Sequence, residues 1–329
     1  MEDMDTSATD RQEGKEPVTG EAFAVLVFIT VASIITCPLT TILNVLIIIC
    51  VKTKSALRTQ SNITLACLAI TDVVMGAIGQ PVFISWLIAR GQGDDALWQT
   101  LLCQFIFKLL TLSSLLHMVM INLERYIAIK HTLQYTSIVT EARLIYLSVF
   151  LWIMALVLIL LISFSSITRT ISVITALAII VFCQVVLYRE ARRHEKEIAN
   201  QHHVSAEVKQ KKLKEKKALK TTTTVLFFLM LSFLPLLFVG LLKSNDVVKS
   251  VNLQDILTFT VILTITANSL VNPIIYCVRL RQFRVAFIEL IFGKSHTQAE
   301  DIEKRAFRVS NRVAPLENEQ SQCRTGNWE

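Results

Sequence analysis

The sequence predicts an all-α membrane protein: seven transmembrane helices in a bundle, then a short amphipathic helix on the membrane surface. Three observations lead there. Of 329 residues 53% are hydrophobic and 18% charged, and mean hydropathy is +0.52, which leaves a soluble fold too little polar surface. The apolar runs are continuous and lack the polar alternation of a transmembrane barrel, and only 9 glycines and 6 prolines are available to break helices. Seven windows reach the roughly 20 residues that cross about 30 Å of hydrocarbon at about 1.5 Å per residue.

Residues 22–51 carry no charge and form the first window. Residues 59–89 carry Asp72 alone, and residues 96–123 carry Lys108 alone. Residues 144–168, 170–188, 221–242 and 256–278 carry none. Basic residues crowd the odd connections: Lys52, Lys54 and Arg58, then Lys130 and Arg143, then the dense stretch 189–220. Arg279, Arg281, Arg284 and Lys294 follow the last window, whereas the even connections hold little beyond Arg90, Arg169, Lys243 and Lys249. The positive-inside rule places the amino terminus outside and the carboxyl terminus in the cytoplasm.

Three parts follow from this pattern. Residues 1–21 form an acidic, polar extracellular tail with no apolar leader core, so the first span serves as targeting signal. Residues 22–292 form the membrane domain. Within it, 165–169 leaves only a turn between spans four and five, and 189–220 extends spans five and six into the cytoplasm. Across 279–292, Leu280, Phe283, Phe287 and Leu290 share one helical face, as in a helix lying on a membrane. Residues 293–329 are polar, mixed in charge and expected to be a disordered cytoplasmic tail.

The net charge of +7 does not point to nucleic acid, because the basic residues sit in loops between apolar runs. Cys37, Cys50, Cys67, Cys183 and Cys277 lie in or beside those runs as small hydrophobes, and no Cys/His spacing suggests a metal. No nucleophile–base constellation appears, so no enzyme is expected.

Asn122-Leu123-Glu124-Arg125-Tyr126 ends the third window. Charge at a membrane edge has two readings, a helix meeting water or a functional group kept there at a cost. Asn272-Pro273-Ile274-Ile275-Tyr276 ends the seventh, with Phe283 seven residues beyond the tyrosine. Asn44 in span one, Leu68-Ala69-Ile70-Thr71-Asp72 in span two, Trp152 in span four, Tyr188 in span five and Pro235 in span six complete an ordered set. Over residues 22–292 this set resembles the rhodopsin-like (class A) G-protein-coupled receptors.

The resemblance implies a plasma-membrane receptor that binds an extracellular ligand, activates a heterotrimeric G protein by an outward swing of span six, and meets arrestin and membrane lipids. It also implies a sodium-binding pocket of Asp72, Ser114, Asn268, Ser269 and Asn272. All five carry oxygen ligands suited to a hard cation, and a hydrogen-bonded network without an ion is the alternative. Pro235 removes a backbone hydrogen bond and should kink span six, and Pro273 should do the same in span seven. The family usually has a tryptophan two residues before Pro235, where this chain has Phe233. Glu215 stands where the family forms an ionic latch to Arg125, although a solvated glutamate in a basic run reads equally well. Leu133 matches the apolar residue inserted into the G protein, and Tyr188 and Tyr276 are the expected active-state neighbours of Arg125.

The candidate ligand pocket takes in Gln104, Phe107, Lys108, Phe233, Ile262 and Thr266. Amine receptors carry an aspartate where this chain has Phe107, and opsins carry the retinal lysine where it has Thr266, so neither ligand fits and no cofactor beyond sodium is expected. Lys108 can meet an acidic small molecule or lipid, or it can snorkel or pair with Asp94 or Asp95. Cys103 has no cysteine partner in 165–169. That short connection, and Ile180 where the family has a proline in span five, resemble the group of melanocortin, adenosine, cannabinoid and lysophospholipid receptors. Val82 and Gln104 depart from the acidic melanocortin site. A transporter or channel predicts several intramembrane charges or a repeat, and only Asp72 and Lys108 qualify. A non-signalling decoy receptor is the other rival, and intact Arg125 and Asn272-Pro273 weigh against it.

Overall fold

The third helix, Leu97–Lys130, runs through the bundle and carries the largest share of its buried polar groups. The structure is a computed structural model and describes residues 20–94, 97–131, 134–162, 174–175, 178–179, 181–190, 192–193, 234–235, 238–239, 242 and 251–313. All its regular structure among the described residues is helical. The first span is Glu21–Thr53, the second Gln60–Gln92, the fourth Glu141–Ile162 and the seventh Val251–Arg279. These and the third are the 5 described helices long and apolar enough to cross a membrane. Within spans five and six, residues 181–190 and Pro235 are helical. Leu133, Glu215 and Phe233, the turn at 165–169 and most of 189–220 lie outside the described residues.

Local chemistry sets the boundaries. Thr59 caps the second span, its side chain accepting from the Asn62 N–H at 3.3 Å. Gly93, at φ 78°, closes it in a left-handed conformation that a side chain resists. Midway, Met75–Gly79 widens into a π-turn, which re-aims everything outward of Asp72. Leu280 breaks the chain into extended backbone after the seventh span, and the surface helix Arg281–Phe292 follows, close to the 279–292 expected.

The packing is that of a bundle in lipid. Phe28, Leu161 and Phe182 are about two-thirds exposed and face outward, while Asn44, Asp72, Ser113, His117 and Asn272 are buried. An inner apolar cluster joins Ile47, Leu68, Met118, Ile121 and Tyr276 to Phe283 and Phe287 of the surface helix. An outer cluster joins Leu26, Phe83, Trp86, Phe107 and Phe259.

Within the stretch 293–329, expected to be disordered, the structure corrects the expectation over 296–313, and 314–329 lie outside the described residues. Gly293 turns the chain at φ 59°, and His296–Val313 forms a helix against the surface helix. Glu303, almost fully buried, accepts from Arg281 Nε at 2.8 Å and from Arg284 Nη2 at 2.6 Å. Burial opposes ionisation of Glu303, but these hydrogen bonds outweigh it and hold its carboxyl below the usual range. Composition concealed the helix because its order comes from this pairing and not from a large apolar face.

Gly76 in the π-turn lies so close to span one that an added Cβ would sit 2.5 Å from Thr41 Oγ1 and 3.0 Å from the Thr41 backbone nitrogen. Backbone cannot yield as a side chain can, so Gly76→Ala should cost about 1–3 kcal/mol and lower the Tm of the purified receptor. Gly91→Ala meets only flexible Leu26 at 3.3 Å and should leave the Tm within about 1 °C, the check being a parallel melt of both variants.

Candidate functional site

A polar column follows the axis of the bundle. At mid-membrane, Asn272 Nδ2 donates to Asp72 Oδ2 at 2.8 Å, tying span seven to span two. Asn44 Nδ2 donates to the Ser269 carbonyl at 3.0 Å and to its own span's Thr40 carbonyl at 2.9 Å. Three spans therefore meet through side-chain amides. Beside them, a small cavity is lined by Asp72, Thr111, Ser114, Asn268 and Ser269, with room for about one water-sized occupant. Asp72 Oδ1, Ser114 Oγ, Asn268 Oδ1 and Asn272 Oδ1 are buried without a protein hydrogen-bond partner. Oxygens gathered in this way are costly unless a cation or water satisfies them. Four of the five residues expected to form one pocket line this cavity, Asn272 reaches it only through its bond to Asp72, and Thr71 and Thr111, which the sequence reading missed, add two more unpaired hydroxyls.

At the inner mouth, Glu124 is buried and Arg125 is only 13% exposed, with Arg125 Nε 3.5 Å from Glu124 Oε2. That separation is an ionic contact without a hydrogen bond, and both atoms lack hydrogen-bond partners. Ser61 supplies what the pair lacks: its Oγ donates to Glu124 Oε1 at 2.8 Å and accepts from Arg125 Nη1. The Tyr135 hydroxyl also donates to Glu124 Oε1. Burial, then the neighbouring carboxylate, pushes the Tyr135 phenol well above its ordinary value, so it stays protonated as a donor. Tyr135 begins the one-turn helix Tyr135–Ile138 in the connection after span three. The signal for it was a lone aromatic hydroxyl in a short basic loop beside a buried acid; Ser61 gave none, because one serine in a helix's first turn is ordinary.

Asn122, one turn above Arg125, receives a hydrogen bond from Gln184 of span five. Tyr276 is buried with its hydroxyl unpaired and its ring 6.2 Å from Phe283. Tyr188 is over half exposed and holds Arg192 Nε at 2.9 Å, so in this conformation it does not join Arg125. Tyr126 accepts from Lys130 Nζ at 2.7 Å.

In the outer half, the expected pocket residues divide. Phe107 is buried edge-on to Phe83 at 5.6 Å, and Thr266 is buried and donates to the Leu263 carbonyl at 2.9 Å. Lys108 and Ile262 are half-buried, and Gln104 is exposed. Above the aromatic cluster, Arg90, 1% exposed, pairs with Asp255 of span seven through Nη2 at 2.7 Å and Nε at 3.1 Å. This pair was missed, because Arg90 read as a loop charge and Asp255 fell just before the seventh window.

A seven-helix membrane fold with this polar column, this Glu-Arg-Tyr mouth and a proline in span seven defines a class of receptor. The sequence pattern of the 7 transmembrane receptor (rhodopsin family) matches residues 43–173 and 162–276, and the chain belongs to that family, the class A G-protein-coupled receptors. It is 25% identical over 320 residues to the histamine H2 receptor of Rattus norvegicus, covering 87% of this chain and 84% of that one. It is 24% identical over 341 residues to the same receptor of Cavia porcellus, covering 93% and 86%. Over 112 residues it is 35% identical to the adenosine receptor A2b of Bos taurus, covering 34% and 33%. The protein is therefore a multi-pass membrane receptor of the plasma membrane and not an enzyme.

The Arg90–Asp255 pair can be tested by charge exchange. Asp255→Asn leaves a buried guanidinium short of its counter-ion and should cost about 3 kcal/mol, read as lowered Tm and surface expression. Arg90→Asp with Asp255→Arg should recover part of that loss, and no recovery would mean that packing and not pairing fixes the two side chains.

Proposed function

We propose that this receptor transmits an extracellular signal to a heterotrimeric G protein through Arg125. The observation that carries the reading is the incomplete lock at the inner mouth. Glu124 is satisfied on one oxygen by Ser61 and Tyr135, while Arg125 keeps an unpaired Nε beside the other. A buried guanidinium held this loosely is ready to exchange partners. Outward rotation of span six about Pro235 would open a cavity in which Tyr276, with its unpaired hydroxyl, and Tyr188 turn toward Arg125. Phe233 sits at the hinge, Glu215 is the latch that closes it, and Leu133 is the apolar contact on the G protein. Arrestin uses the same cavity once it is open. The amino terminus is outside and the tail inside. The ligand acts by population shift, and reversing a 1:99 equilibrium needs about 5.5 kcal/mol of preference for the open form.

Asp72 holds a sodium ion in the closed form, with Ser114, Asn268, Ser269 and Asn272 as the remaining oxygen donors. The unpaired carboxylate and amide oxygens around the cavity support a monovalent cation, since the partners of Asp72, Asn272 and Ser269, are neutral and leave its charge uncompensated. For the ligand, an acidic small molecule or lipid meeting Lys108 fits the outer half. The histamine receptors are relatives by sequence, yet Phe107 packs in the apolar cluster where an amine needs an acid, and Asp255 is already neutralised by Arg90. A ligand whose potency is unchanged by Lys108→Ala would remove the acidic-group assignment.

Two measurements test the core of the proposal. Arg125→Ala should abolish G-protein activation at matched surface expression, and output equal to the parent would end the role given to Arg125. Raising sodium should stabilise the purified receptor thermally, and Asp72→Asn should remove that dependence; a sodium response retained by the variant would place the ion elsewhere.

A further inference from the structure

We propose that the helix His296–Val313 is a lipid-binding element that lies along the anionic inner leaflet and tethers the carboxyl end of the receptor to it. The inference rests on the cytoplasmic placement of the tail given above. Three observations carry it.

The first is that the helix uses only part of its circumference against the protein. Ala299 and Glu303 turn inward, fully and almost fully buried, and Glu303 meets Arg281 and Arg284. Next to that face, Ile302 is 42% exposed and Ala306 is exposed too. In the sequence, Val309 and Val313 continue the same stripe at helical spacing. An apolar stripe left in water gains nothing for the fold, whereas a headgroup–acyl boundary accepts it at the depth of a helix radius.

The second is charge. The acids Glu300, Asp301 and Glu303 crowd the first half of the helix, and Lys304, Arg305, Arg308 and Arg312 occupy the second. Glu300 and Glu303 are engaged with Arg281, at 3.2 Å and 2.8 Å, and Lys304 reaches Glu300 at 3.7 Å. The hairpin thus pairs Glu300 and Glu303 with its own cations, and the sequence adds Arg305, Arg308 and Arg312 to the second half of the helix. A basic amphipathic helix matches the negative cytoplasmic leaflet.

The third is position. The helix follows a membrane span by one short helix and one turn, so its tether cannot carry it far from the bilayer. Ile291 and Phe292 at the tip of the hairpin are 55% and 65% exposed, and Val278 at the inner end of span seven is 61% exposed. Outward apolar side chains therefore occur on the span, at the turn and on the terminal helix. Glu289 adds a second tie at the turn, accepting from Lys54, the residue that follows span one, and from His296 Nδ1 at 2.5 Å.

The test is amide hydrogen exchange of the full-length receptor in nanodiscs of phosphatidylcholine alone or mixed with phosphatidylserine. Nanodiscs expose both membrane faces, so the outcome does not depend on which side the tail occupies in cells. Exchange across 296–313 should slow by at least about tenfold in the anionic discs, given roughly fivefold for each basic residue near such a surface. A variant with Lys304, Arg305, Arg308 and Arg312 all changed to Gln should lose that slowing, and Ile302→Ser should reduce it, with the Tm of the bundle unchanged. Equal exchange in the two lipids would overturn the proposal. So would slowing that persists in the four-Gln variant, or slowing that appears only when a soluble cytosolic protein is added.

Discussion

The hydrogen bond from Asn272 to Asp72 is the constraint around which the bundle is arranged. A carboxylate at mid-membrane cannot be left to lipid, so the spans facing it must bring polar groups inward. Span seven answers with Asn268, Ser269 and Asn272, span three with Thr111 and Ser114, and span one reaches the same level through Asn44 and the Ser269 carbonyl. Each of these spans is then free to be apolar on its outer side. Lipid tails are as apolar as leucine, so it is polar pairing and close contact that choose which helices meet. Gly76 serves the second purpose, letting spans one and two approach until Thr41 touches backbone.

At the Glu124–Arg125 end of span three, the same logic produces a site that is stable and incomplete at once. Ser61 and Tyr135 hold Glu124, and Arg125 shares Ser61 with it, so the start of span two and the connection after span three together hold one ion pair. The pair has no second hydrogen bond to close it. Tyr276 is in the same condition, buried with a silent hydroxyl one helix away. Groups left wanting partners in this conformation are a natural source of preference for another, because a rearrangement that pairs them recovers what burial costs.

The sequence made the fold legible because hydrocarbon imposes a length and a charge rule that few residues break. Asp72 and Lys108 stood out against windows otherwise free of charge, and the motif residues declared which window each end belonged to. What stayed hidden were pairings between segments far apart. Ser61 and Tyr135 are unremarkable until the third span places Glu124 between them. Arg90 and Asp255 lie 165 residues apart in the chain and read as boundary charges, although the fold buries Arg90 to 1% exposure. The helix at His296–Val313 was hidden for a related reason: its anchor, Glu303, depends on arginines from the preceding helix. Periodicity within a window finds faces, but it cannot find partners.

Spans two and seven are tied twice, by Asp72–Asn272 at mid-membrane and by Arg90–Asp255 at the outer end. Between these ties lie the π-turn of span two and the aromatic cluster of Phe83, Trp86 and Phe259. Two ties on one pair of helices oppose their separation at the outer face, so a ligand gains little leverage by prying them apart. The partners of span five and span six are fewer among the described residues, with Gln184 to Asn122 the clearest link. In the signalling mechanism we propose, motion that carries a signal inward belongs to span six, where Pro235 lacks the N–H that a regular helix would use.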